Sequence, residues 1–116
     1  MDKDITIVSN NPRLADFYDN VLWVDGDYID VLYKVRDMVH LGHTIINHPL
    51  GASIRMFYSP YRSIAIRKGD SDRSVNIIED SVISYLTIMG EREPDYKNAR
   101  DYEFMDMELL KEGLTQ

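Results

Sequence analysis

The stretch His40–Ser63, HLGHTIINHPLGASIRMFYSPYRS, decides how the rest of the chain is read. It holds all three histidines, two of the four prolines and two of the six glycines. Gly42 suits the left-handed residue that closes a helix, and His40 can lie against that helix's last carbonyls. Thr44-Ile45-Ile46-Asn47 is a short apolar run of the kind that forms a buried strand. His48-Pro49-Leu50-Gly51 ends it, and residues 51–62 form a loop long enough to suggest a functional role. Ser63-Ile64-Ala65-Ile66-Arg67 then resumes as a strand.

Upstream, Ile5-Thr6-Ile7-Val8 is a β-branched strand that gives way to Asn11, a good N-cap, and Pro12, a good first helical residue. Leu14, Phe17 and Tyr18 predict a short helix there. Val21-Leu22-Trp23-Val24 is a second strand, closed by Asp25-Gly26-Asp27. Asp27 caps a helix in which Tyr28, Val31, Leu32, Val35, Met38 and Val39 recur at helical spacing, with Asp30 in the first turn. Downstream, a helix from about Ser74 to Met89 buries Val75, Ile78, Val82, Tyr85, Leu86 and Met89. Ile77, Ile83 and Ile88 widen its stripe enough for a second neighbour or a homodimer. Residues 91–116 read as a polar connector and a docked C-terminal segment, expected to be an added strand followed by a short helix.

This alternation predicts a single α/β domain over residues 1–116. Its sheet is expected to be mostly parallel, four- to five-stranded and Rossmann-like, in two or three layers, with the C-terminal segment docked on it. Ligands of such sheets sit beyond the carboxyl ends of the strands. Ser9–Asn11, Asp25–Asp27 and Asn47–Gly51 should gather there.

The composition sets limits on function. At 116 residues, 44% hydrophobic and 28% charged, the chain can bury a core without staples. It has no cysteine, which removes thiol catalysis, disulfides and thiolate metal sites. A net charge of −7 disfavours nucleic acid. The start has no basic segment leading into a long apolar one, and no run reaches the roughly 18 apolar residues of a membrane span, so a cytoplasmic location with no membrane partner is expected.

His40, His43 and His48 invite a metal-site reading, but Gly42 and a whole strand separate them, so no metal or other cofactor is expected. His48 and Asp25, both at strand ends, could pair as a base and its orienting carboxylate. No G-x-S-x-G turn marks Ser53, Ser59 or Ser63 as a nucleophile, and no phosphate-cradling glycine motif occurs. A small anion could be held near Asn11 and Pro12 with help from Arg55 or Arg62. Asn10, Asn11, Asp25, His43, His48, Arg55 and Arg62 are therefore the candidate ligand-binding residues. Met56, Phe57, Tyr58 and Tyr61 make the long loop apolar and are the candidate protein interface.

Six segments carry a resemblance to a known family. They are V-S-N-N-P from Val8, V-D-G-D-Y-I-D-V-L from Val24, V-R-D-M-V-H-L-G-H from Val35, N-H-P-L-G-A-S-I from Asn47, S-P-Y-R-S-I from Ser59 and D-Y-E-F-M-D-M-E-L-L from Asp101. Together they resemble the GrdX family, small proteins associated with clostridial glycine, sarcosine and betaine reductase gene clusters. The likeness runs from Ile5 to about Leu110 and is most specific over Val35–Ser63. Where the family tends to have a polar KPNET-like stretch before Pro60-Tyr61, this chain has Arg55-Met56-Phe57-Tyr58-Ser59. The resemblance implies an anaerobic cytosolic setting and a partner in the reductase system, and it implies no catalytic mechanism. The expectation is a non-catalytic accessory protein; the alternative is a small-ligand or anion-binding protein or enzyme centred on His48.

Overall fold

The computed structural model describes residues 4–115. Strand β1 (Ile5–Ser9) leads through a 3₁₀ turn (Pro12–Asp16) to β2 (Val21–Trp23), helix α1 (Tyr28–His40) and β3 (His43–Ile45). A second 3₁₀ turn (Ile54–Tyr58) precedes β4 (Ser63–Lys68) and α2 (Asp72–Met89). A third (Tyr96–Asn98) opens into α3 (Ala99–Leu114).

Local chemistry sets these boundaries. The Asn11 side chain accepts from the Arg13 N–H, with Pro12 as the first residue of the turn. The Asp30 carboxylate accepts from the Asp27 N–H at the start of α1, at 2.8 Å. Gly42, with φ at +98°, turns the chain from α1 into β3 in a conformation that side chains disfavour. The Ser71 hydroxyl accepts from the Ser74 N–H and starts α2 at Asp72, slightly earlier than the apolar stripe suggests.

The sheet has the order β2-β1-β4-β3. β1 and β2 are parallel, whereas β4 runs antiparallel to both β1 and β3. The expected mostly parallel, Rossmann-like sheet is therefore corrected to a mixed, mainly antiparallel one. The reason lies in the connection from β3 to β4. Parallel neighbours need a crossover, usually helical, and residues 46–62 supply only a five-residue 3₁₀ turn. The chain reverses there, and β4 enters between β1 and β3.

Alternation along the central strands splits the interior in two. Val8, Ile64 and Ile66 face α1 and α2, where Tyr28, Val31, Leu32, Val35, Ile78 and Tyr85 close around them. Ile5, Ile7 and Ala65 face the other way, onto Leu14 of the first 3₁₀ turn and Met107 and Leu110 of α3. Each large aliphatic side chain so buried contributes about 1.5–3 kcal/mol. The C-terminal segment is one helix, correcting the expected strand and short helix. Its buried positions Tyr102, Asp106, Met107 and Leu110 follow a helical period that an aspartate interrupts. Gly113 lets this helix close on the end of β3, since a Cβ there would lie 2.6 Å from the Asn47 Cβ.

Candidate functional site

β1, β2 and β3 point the same way and β4 points the opposite way. The carboxyl ends of three strands and the amino end of the fourth therefore meet at one edge of the sheet. The register pairs Ser9 with Ser63 at that edge, on the side covered by α3. α3 brings Asp106 over the pair.

Asp106 is fully buried and accepts four hydrogen bonds. Its Oδ1 takes the Ser63 N–H at 2.8 Å and an Arg62 Nη1 hydrogen at 3.4 Å, and its Oδ2 takes the Ser63 hydroxyl at 2.6 Å and the Asn11 amide at 2.9 Å. Four donors fill the lone-pair directions of an ionised carboxylate. Because Ser63 donates to Asp106, Ser9 must be the donor in the 2.8 Å hydroxyl pair; its oxygen in turn accepts the Asn11 N–H. Donor roles thus run in one direction, from Asn11 through Ser9 and Ser63 to the carboxylate.

Arg62 and Asp106 are a buried ion pair, with side chains 4% and 0% exposed. At 3.4 Å, the guanidinium contact is the longest of the four bonds to Asp106. Arg62 is held more tightly elsewhere: its Nε donates to the Pro49 carbonyl at 2.9 Å and its Nη2 to the His48 carbonyl at 2.7 Å. The Tyr28 hydroxyl also donates to the Pro49 carbonyl and accepts the Gly51 N–H. Burial pushes the Tyr28 phenol up from its ordinary range, and the nearby Arg62 guanidinium partly opposes that. Asn47 binds the Ala65 N–H and the Ser63 carbonyl.

Three of the candidate ligand residues belong to this cluster. Asn10 ties three loops together, donating to the Gly26 and Pro60 carbonyls and accepting the Arg62 N–H. Asn11 and Arg62 are buried in it. His48 contributes its carbonyl, but its ring is exposed and accepts the Leu50 N–H on Nδ1 at 3.1 Å. Asp25 is exposed and hydrogen-bonds to none of the described residues, including His48. His43 sits at the opposite end of the sheet, its Nδ1 2.9 Å from the Met38 carbonyl oxygen. His40 pairs instead with Glu79, at 3.1 Å. Among the described residues no His, Asp or Glu group is arranged to hold a metal ion.

The long loop divides. Met56 and Phe57 are buried, with Phe57 stacked on Tyr85 at 5.9 Å, whereas Ile54 and Arg55 are exposed and Tyr58 and Tyr61 half-buried. Beside His48, a cleft of about 390 Å³ is lined by Leu50, Arg62, Leu109, Glu112 and Gly113. Sequence reasoning missed Asp106; it placed Ser9 and Asn47 at the strand ends without a binding role, and weighed Ser63 only as a nucleophile. The signal for Asp106 was present: an aspartate at a helical interval from Tyr102 and Leu110 lies on the buried stripe.

No helix among the described residues is long and apolar enough to cross a membrane. No curated protein and no solved structure matches the chain. The family model described as GrdX-like protein matches residues 6–115. The chain therefore belongs to the GrdX-like family and is associated, at the level of that family, with the glycine reductase system.

Proposed function

We propose that the chain is a non-catalytic accessory protein that works in the cytoplasm by docking onto a protein component of glycine, sarcosine or betaine reductase. The closure of the strand-end cluster carries this reading. Asn10, Asn11, Arg62 and Asp106 direct their polar groups to one another and to the backbone. A reacting centre needs donors and acceptors aimed at a substrate. The 54–61 segment instead presents Ile54 and Arg55 outward, with Tyr58 and Tyr61 at its margin and Met56 and Phe57 bracing it from beneath. Arginine beside large apolar side chains is the composition that dominates protein–protein binding energy. A tagged chain incubated with extract of a glycine-fermenting anaerobe should recover a reductase component; recovery of none would overturn the reading.

A second reading, a small-ligand or anion site centred on His48, is favoured by the cleft beside that exposed ring. Glycine, sarcosine, betaine, phosphate and acetyl phosphate would be screened by thermal shift. At about 100 times its dissociation constant, a ligand stabilises by roughly 2.7 kcal/mol. A shift lost in His48→Ala would support this site, and a flat screen would remove it. On α2, Ile83 and Leu86 are exposed, so the same preparation would be sedimented for a homodimer.

A further inference from the structure

We propose that the outer face of α3, with the two 3₁₀ turns beside it, docks an acidic segment of the partner protein. This rests on the accessory-protein reading and names the surface and its chemistry. Arg13, Arg55 and Arg100 come from three separate parts of the chain and line one depression of about 420 Å³ with Asp101, Phe104 and Met105. In a chain of net charge −7, three guanidinium groups stand against the lining Asp101 and against Glu103, which pairs with Arg13, a local excess of one positive charge. Arg55 and Arg100 form no ion pair with the described residues. The Arg13 Nε is shielded from water and makes no hydrogen bond, but it forms an ion pair with Glu103 at 3.8 Å. Arg55 and Arg100 are thus cations without an ionic partner among the described residues, whereas Arg13 is steadied by Glu103.

Apolar groups alternate with them. Phe104 is 52% exposed, with the Arg13 guanidinium 5.9 Å from its ring centroid. Two turns along α3, Lys111 lies 5.7 Å from the ring centroid of Phe17, which is itself 59% exposed. Arginine and exposed phenylalanine together fit a segment carrying both carboxylates and a large apolar side chain. The depression is open, unlike the enclosing pockets that hold small molecules. Because the chain's overall charge repels an acidic partner at long range, recognition depends on these contacts and weakens with added salt.

The test uses a fluorescein-labelled peptide of alternating glutamate and phenylalanine, with a lysine-phenylalanine peptide as control. Polarisation should show binding of the acidic peptide alone, weakened roughly tenfold or more by Arg55→Glu with Arg100→Glu and left unchanged by Arg73→Glu on α2. Equal binding by the double variant, or no binding of the acidic peptide, would overturn the surface. The extract experiment is run in parallel with the same variants. Recovery of a reductase component by wild type but not by the double variant supports the proposal. Equal recovery by both overturns the surface and leaves the accessory role standing. Peptide binding without any reductase component recovered overturns the accessory role and leaves the surface standing. Unchanged melting temperatures for these exposed substitutions confirm that folding is intact.

Discussion

On one face of the sheet, Val8, Ile64 and Ile66, whose own side chains carry no hydrogen-bonding group, meet α1 and α2. On the other, Ser9 and Ser63, one residue away on the same two strands, meet the carboxylate of Asp106. The first face asks only for the right volume, and many residue combinations supply that. The second asks for particular donors at particular distances, since any donor removed leaves a buried charge short of a partner. On the α3 side the hydrogen bonds to Asp106 thus add a fixed register to the apolar contacts of Ile5, Ile7 and Ala65 with Met107 and Leu110.

The largest effect expected from breaking this contrast is Asp106→Ala. It strands the buried Arg62 guanidinium and three further donors, from Ser63 and Asn11, and should cost about 3–5 kcal/mol in urea unfolding. Asp106→Asn keeps the shape but turns a donor toward groups that already donate, so it too should be costly, by about 1–3 kcal/mol. Arg62→Met combined with Asp106→Leu should be less damaging than Asp106→Ala alone, because no charge is then left buried. A double variant worse than the single would show that the Asn11 and Ser63 contacts, rather than the ion pair, hold α3.

Next in size is Gly113→Ala. The added Cβ would lie 2.6 Å from the Asn47 Cβ, and the strain of pushing α3 off the end of β3 should cost about 1–3 kcal/mol. Hydrogen exchange should quicken in α3 and not in α1. Smaller again is Ile66→Val in the apolar layer, about 0.5–1.5 kcal/mol, read as a lower denaturation midpoint with an unchanged slope. If that single methylene cost more than Asp106→Asn, the contrast between the faces would be reversed.

The same contrast governs what the sequence disclosed. α1 was legible because Tyr28, Val31, Leu32, Val35 and Val39 repeat with the helical period, and the buried residues of α1 are those five. The gathering of Asn10, Asn11 and Arg62 was legible because all lie at strand ends. Their role was not, since nothing local says that a polar side chain will be sealed under a helix. The direction of β4 was obscured by reading strand alternation as parallel, although residues 46–62 offered no α-helical crossover. α3 was misread because Asp106 falls where an aliphatic residue would have completed the period. The residue that gives α3 its fixed register is the one that hid it.

The smallest expected effect concerns the point where the two faces are tied together. Tyr96, in the 3₁₀ turn that opens α3, donates to the Asp27 carboxylate at the start of α1, at 2.6 Å. That bond holds the phenol protonated and pushes its pKa up to about 12, against about 10 in the unfolded chain. A group whose pKa is raised on folding contributes stability that is fully present below the unfolded value and is lost as pH rises through the folded one. Burial raises Tyr28 and Tyr85 in the same direction, so both wild type and Tyr96→Phe should weaken at high pH. Their difference isolates Tyr96: small and constant from pH 7 to about 9, then vanishing between about 10 and 12. A difference still constant at pH 12 would mean that the ring's packing, not its hydroxyl, joins the α1 layer to α3.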